Sequence, residues 1–253
     1  MKAFKEKIHT ILFFAKFLIY GIVVALPRLK REMRAKEGER IMNRDGAVGE
    51  IAYKWSEYCL NAAGVKITVK GTEKIPKDKP VLFVPNHQGY ADIPVLLYAL
   101  RGYPFGFVIR YTMAALPIIR SFVAPLGCVS IKQEDIRQSV SALNKASENI
   151  NDGFSMLIFP EGRREFTNTP KPFKNGAFKI VQKTGVTVVP IYLHNSHMIF
   201  EANGKKIGSP DVTVTILNPI ETAEMSRADI KVLNEKVFDA INSAAKDFNY
   251  LDT

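Results

Sequence analysis

From Val65 onward the chain alternates short apolar runs with amphipathic stretches, and that rhythm constrains its fold more than any other feature of the 253 residues. "VKITVKG" and "VLFVP" read as strands, "DIPVLLYAL" as a helix, and "FGFVIR" and "GCVSIK" as further strands. "EDIRQSVSALNKASENI" is an amphipathic helix, "FSMLIFP" a buried strand, "GAFKIVQKTG" a helix closed by glycine, and "VTVVPIYL" and "VTVTIL" are strands. Residues 226–248 make a closing helix with Ile230, Leu233, Val237, Ile241 and Ala245 on one face. The alternation predicts an α/β domain, a mixed and largely parallel sheet with helices on both faces.

Ahead of it lies a segment of different character. Residues 1–36 hold nine Lys or Arg against two Glu, so +7 of the net +10 sits in the first seventh of the chain. These charges flank the apolar run Ile11 to Leu26, which only Lys16 interrupts. A helix over that run rises about 24 Å against a hydrocarbon core of about 30 Å, so a tilted span and a half-inserted helix are both open. No small-residue cleavage site follows, which argues against a removed signal peptide. Basic flanks favour an anionic membrane surface with the folded part on its cytoplasmic side. Residues 28–63 read as helix, with a break near Gly46 or Gly49 and a stripe of Val48, Ile51, Ala52, Trp55, Cys59 and Ala62. The expected division is 1–63, a membrane-associating helical region, and 64–253, the α/β domain. Cys59 and Cys128 stand alone, with no disulfide framework and no paired zinc or redox motif, which suits a reducing compartment.

Open α/β sheets bind ligands beyond the carboxyl ends of their strands, and two polar clusters fall there. The first is "NHQGYAD", in which His87 can take a proton at neutral pH if a carboxylate holds its other nitrogen. A turn at Gln88-Gly89 can fold Asp92 back onto the ring; alternatively Asp92 caps the helix that follows, or does both. The second cluster is "EGRRE", where Gly162 permits close backbone approach, Arg163 and Arg164 are planar donors suited to phosphate, and Glu161 can orient one of them. The "HNSH" stretch places His194 and His197 on a presumed loop as surface or pocket residues; lacking a carboxylate partner, they make a thin metal site. A non-enzymatic basic membrane- or nucleic-acid-binding protein would account for the N-terminus but not for the two strand-end clusters.

Taken together these residues resemble the glycerolipid acyltransferases, specifically the 1-acylglycerol-3-phosphate acyltransferases, over nearly all of the chain after about residue 50. The N-H-x-x-x-x-D motif matches Asn86, His87 and Asp92; F-P-E-G with a basic residue two beyond matches Phe159 to Gly162 and Arg164. F-K-x-G matches Phe173, Lys174 and Gly176, and V-P-I matches Val189 to Ile191. A further motif departs from the pattern: "GCVSIKQ" places Lys132 and Gln133 where the family has aspartate and arginine. The resemblance implies the glycerol-3-phosphate acyltransferase-like fold and no cofactor or metal. It implies catalysis by His87 and Asp92, and substrate binding by Asn86, Lys132, Glu161, Gly162, Arg163, Arg164 and Lys174. The implied partners are a lipid bilayer, lysophosphatidate, and acyl-CoA or acyl carrier protein, with no nucleic acid. The implied site of action is the cytoplasmic face of a membrane, and glycerol 3-phosphate and other lysophospholipids are alternative acceptors.

Overall fold

Every residue of the run Val81–Pro85 is buried, as a strand covered on both faces requires, and this strand is the middle of a seven-stranded sheet. The computed structural model describes residues 2–251. In chain order the strands are β1 Lys66–Lys70, β2 Val81–Pro85, β3 Phe105–Arg110, β4 Val129–Ile131, β5 Ser155–Leu157, β6 Thr187–His194 and β7 Asp211–Ile216. They lie in the order β1-β7-β6-β2-β5-β3-β4. Every neighbouring pair is parallel except β6 and β7. Five strands therefore point one way, and the carboxyl ends of β2, β5 and β6 meet side by side at one edge. The outermost strand β1 alternates exposed Lys66, Thr68 and Lys70 with half-buried Ile67 and Val69, and its lysines blunt a free edge.

The helices are α1 Lys2–Tyr20, α2 Leu26–Ala35, α3 Ala47–Ala63, α4 Asp92–Ala99, α5 Tyr111–Ala114, α6 Pro117–Val123, α7 Ile136–Asn151, α8 Lys179–Thr184, α9 Arg227–Lys231 and α10 Leu233–Leu251. On one face of the sheet Leu82, Met156 and Val188 pack with Ala146, Ile150, Ile180, Val237 and Ile241 from α7, α8 and α10. On the other face Phe83, Leu157 and Ile191 pack with Val95 and Leu96 of α4 and with Leu60 and Ala63 of α3. The end of α3 is thus part of the core beside the sheet, with no gap in packing at residue 63. The closing helix breaks at Val232, because Ser226 and Asp229 form a capping box that starts a separate short helix. The segment 111–123, for which no strand or helix is evident in the sequence, holds α5 and α6. Both cysteines are unpaired, and burial pushes each thiol up to about 12.

The N-terminal helix is longer than the apolar run alone suggests. A single π turn, Gly21–Ala25, joins α1 to α2, with the Leu26 N–H donating to the Gly21 carbonyl. The wider turn lies just before Pro27, whose ring would otherwise press on the carbonyl one turn back. The helix Phe4–Ala35 is long and apolar enough to cross a membrane; its 32 residues span about 48 Å. It does not stand clear of the domain. Phe17 lies on Trp55 at 4.7 Å between ring centroids, Tyr20 stacks on Tyr58 at 4.4 Å, and Trp55 Nε1 donates to the Phe17 carbonyl. Lys206 reaches Glu6, and the Ile207 N–H donates to Thr10 Oγ1. The opposite face leaves Ile11, Ile19 and Val23 each more than 60% exposed.

Candidate active site

Just beyond β2 comes Asn86, whose buried amide exchanges two hydrogen bonds with the backbone of Leu193 in β6, at 2.7 and 3.1 Å. That lock fixes where the next residue emerges. His87 Nδ1 lies 2.7 Å from Asp92 Oδ2, and the ring stacks on Phe159 at 3.9 Å between centroids. Asp92 is fully buried at the start of α4. Its Oδ2 also accepts from the Gln88 and Gly89 amides at 2.6 and 3.0 Å, and its Oδ1 accepts from Ser196 Oγ. With donors on every side, the group has the surroundings of a carboxylate, so the hydrogen between it and His87 resides on Nδ1. The lone pair available to take a proton is then on Nε2. Asp92 therefore folds back onto the ring and the turn; it makes no side-chain cap to its own helix. A Cβ at Gly89 would sit 2.5 Å from Glu201 Oε2, so a larger residue there would displace the Glu201 carboxyl.

The second loop closes over the first. The Glu165 and Phe166 amides donate to the carbonyls of His87 and Gln88, at 3.0 and 3.2 Å, so the 158–166 segment runs as a zip along the histidine turn. Glu161 is buried and its Oε1 accepts the His87 N–H at 3.1 Å, while its Oε2 has no partner among the described residues. Burial, opposed by that hydrogen bond, pushes its carboxyl up to about 8. Arg164 lies over Tyr90, its guanidinium carbon 3.7 Å from the ring centroid, with Phe166 at 5.9 Å. Glu201 Oε1 accepts the Tyr90 N–H at 2.6 Å, and burial raises the Glu201 carboxyl above its ordinary range.

Several residue assignments expected from sequence change here. Glu161 orients no arginine; it faces inward beneath the histidine turn, because the loop is anchored from below by the His87 amide. Arg163 pairs with Glu165 and points to solvent. Asn86 turns its amide to Leu193 rather than to the cleft. Gln133 Nε2 donates to the Gly162 carbonyl at 2.9 Å, so Gln133 rather than the exposed Lys132 reaches that turn. The Gly162 N–H closes the turn onto the Phe159 carbonyl and is not free for an oxyanion. Gly162 has φ +73°, and the Lys174 side chain crosses where its Cβ would be, with Nζ 2.9 Å away. His87, Asp92, Arg164 and Lys174 are thus gathered at one edge. Phe159, Tyr90 and Glu201 join them; Tyr90 lay inside a recognised motif, whereas nothing local marks Glu201.

The "HNSH" histidines are buried, not on the surface. His194 ends β6, with Nδ1 3.2 Å from the Tyr192 hydroxyl; His197 sits in a 3₁₀ turn, with Nδ1 3.2 Å from Gln88 Oε1. Among the described residues no group of three or more His, Cys, Asp or Glu is placed to hold a metal ion.

The family profile described as Acyltransferase matches residues 66–194, just over half of the chain. The chain is 36% identical over 167 residues, 65% of its length and 46% of the other, to the chloroplastic 1-acyl-sn-glycerol-3-phosphate acyltransferase LPAT1 of Arabidopsis thaliana. It is 31% identical over 141 residues, 56% of each chain, to the 1-acyl-sn-glycerol-3-phosphate acyltransferase of Borreliella burgdorferi. It spans about half the length of the curated relatives it matches. The crystal structure of the 1-acyl-sn-glycerophosphate (LPA) acyltransferase PlsC from Thermotoga maritima superposes with a TM-score of 0.79 over 96% of this chain and 98% of that one; at 22% identity the likeness is one of fold.

Proposed function

The chain belongs to the acyltransferase family, and from that premise we propose that it transfers a fatty acyl group from acyl-CoA or acyl carrier protein to the sn-2 hydroxyl of 1-acylglycerol 3-phosphate, giving phosphatidate. The observation that carries the reading is the couple of half-buried His87 with fully buried Asp92, its Nδ1 fixed on a carboxylate and its Nε2 left as the base. Nε2 takes the hydroxyl proton as the acceptor oxygen attacks the thioester carbonyl. The tetrahedral intermediate then collapses with cleavage of the carbon–sulfur bond, and the thiolate recovers the proton from the imidazolium. The acceptor's own hydroxyl is the nucleophile, so no acyl-enzyme forms. Arg164, held over the Tyr90 ring, and Lys174 beside Gly162 supply the positive charge for the acceptor's phosphate.

The same reading places the protein at a membrane. α1 docks along the domain from Glu6 to Tyr20 while its outer face stays apolar, which favours a helix lying in one leaflet over a free-standing span. Arg28, Lys30, Arg31 and Arg34 follow it, suited to anionic headgroups at the cytoplasmic surface.

The test is an acceptor screen with labelled acyl-CoA and acyl carrier protein on purified protein in lipid. Labelled phosphatidate formed only with lysophosphatidate supports the reading. Product from glycerol 3-phosphate or another lysophospholipid alone reassigns the acceptor, and label released as free fatty acid with every acceptor overturns transfer.

A further inference from the structure

The "HNSH" segment holds no metal, yet it is packed against the carboxylate on which the proposed chemistry depends. We propose that Ser196 is a positioning residue for acyl transfer, its hydroxyl holding Asp92 Oδ1 so that Oδ2 stays fixed on His87 Nδ1. The inference rests on the reading of His87 and Asp92 as the acid–base couple.

Asp92 and Ser196 are both fully buried, 104 positions apart in the chain. The two carboxylate oxygens are served differently. Oδ2 takes the Gln88 and Gly89 amides and His87 Nδ1, while Ser196 Oγ, at 2.5 Å, serves Oδ1. The backbone amides can tether one oxygen but leave the carboxylate plane free to swing about it; the serine fixes that plane.

The hydroxyl carries one hydrogen and faces two acceptors, Asp92 Oδ1 at 2.5 Å and Gln88 Oε1 at 2.7 Å. Gln88 settles the choice. Its Nε2 donates to Asn168 Oδ1 and to the Leu193 carbonyl, so its Oε1 is the end that faces the serine. That oxygen already receives the Ser196 N–H at 2.9 Å and lies 3.2 Å from His197 Nδ1. Burial disfavours the His197 cation, and its neutral Nδ1–H form donates to Gln88. Gln88 Oε1 is thus satisfied without the hydroxyl, whose hydrogen goes to the nearer, charged oxygen. The result is a relay of positions: His197 and Ser196 hold Gln88, Ser196 holds Asp92, and Asp92 holds His87.

This arrangement matters when His87 gains its proton. With both oxygens bonded the carboxylate cannot turn away from Nδ1, so the imidazolium keeps its orientation for delivery of the proton to the leaving thiolate. Glu161, Glu201 and His197 also feel the Asp92 charge, but none of these groups is bonded to the Ser196 hydroxyl.

The experiment uses the full-length protein in lipid micelles and compares Ser196→Ala and Ser196→Thr with wild type. Readouts are kcat, acceptor KM, the pH profile, the thermal midpoint, and the downfield proton resonance of His87 Nδ1. Ser196→Ala is expected to lower kcat about ten- to a hundredfold, the worth of one hydrogen bond to a charged group, and to move the acid limb to higher pH by about one unit. Acceptor KM stays unchanged, the Nδ1 resonance moves, and Ser196→Thr recovers most of the rate and the wild-type limb. If the alanine variant is too unstable to assay, Ser196→Cys, a weak donor of similar shape, is read the same way. A wild-type pH profile and Nδ1 resonance in a slowed alanine or cysteine variant overturns the proposal, as does a threonine variant as impaired as alanine. His87→Ala separates the two readings: an active His87→Ala protein sinks the acid–base couple itself, whereas an inactive one beside an unperturbed Ser196→Ala sinks only the serine.

Discussion

At the carboxyl edge of the sheet the protein buries Asn86, Gln88, Asp92, Glu161 and Ser196, whereas along the N-terminal helix and its π turn it leaves Ile11, Ile19 and Val23 exposed. The two regions invert the usual distribution of polarity in opposite directions. Each inversion is stabilised by a different means. At the sheet edge nearly every buried polar atom has a partner of opposite sense, and the exceptions, Glu161 Oε2 and Glu201 Oε2, lie under the loops that flank His87. Along the N-terminal helix no group among the described residues covers the outer face, the feature on which the proposed membrane attachment rests. The comparison teaches that a site of chemistry and a site of attachment can be recognised by the same departure, read with the opposite sign.

The largest effect is expected where the polar cluster meets chemistry. His87→Ala should lower turnover by about a hundredfold to ten-thousandfold at an unchanged thermal midpoint. Turnover near wild type would mean that the buried cluster is structural and the comparison fails at its first term. Next comes Glu161, whose carboxyl is raised from 4.5 to about 8, chiefly by burial. The folded state holds that proton between the two values while the unfolded chain releases it. Its contribution to stability is therefore fully present below the unfolded value and is lost as pH rises through about 8. Glu161→Gln keeps an acceptor for the His87 amide but cannot ionise. It should gain on wild type by on the order of 3–4 kcal/mol between about pH 5 and pH 8, measured by denaturant unfolding. A pH-independent difference would mean that Glu161 is ionised in the folded protein.

Arg164→Ala should raise acceptor KM about tenfold to a hundredfold and leave donor KM unchanged, the result of losing a charge-assisted contact. A damaged donor KM would move the arginine to the other substrate. The smallest effect is expected on the apolar side of the comparison. Ile11→Asp with Ile19→Asp should lower binding to anionic vesicles about tenfold or more by removing two apolar contacts, and should spare activity on a short-chain soluble acceptor. Because Phe17 and Tyr20 pack on α3, these surface changes test attachment more cleanly than removing the helix, which would uncover Trp55. Equal loss of both activities would show that the outer face serves folding.

The sheet was legible because its strands carry their burial in their own sequences; β2 is apolar throughout, β6 is apolar between Thr187 and His194, and β1 alternates. The helices α5 and α6 were not, since four and seven residues give too few turns for a period to show. At the site, the proximity of His87 to Asp92 could be read as one possibility because five positions and a glycine turn separate them. The partners of Asn86 and Ser196 could not, because each lies more than a hundred positions away and is chosen by how β2 and β6 pair. Glu161 was misjudged for the same reason: its neighbours in sequence are arginines, but its neighbour in space is a backbone amide.

The zip between the 158–166 segment and the histidine turn makes the two loops a single structural unit. His87 and Gln88 give their carbonyls to Glu165 and Phe166, and Glu161 receives the His87 amide, so a residue exchanged in one loop is felt in the other. Substitutions made on both sides should therefore be strongly non-additive in a double-mutant cycle, with coupling of about 0.5–3 kcal/mol. Grafting the corresponding loop of a relative in place of residues 158–166 alone would disturb the His87 turn as well. The transferable module is the pair of loops together with the ends of β2 and β5.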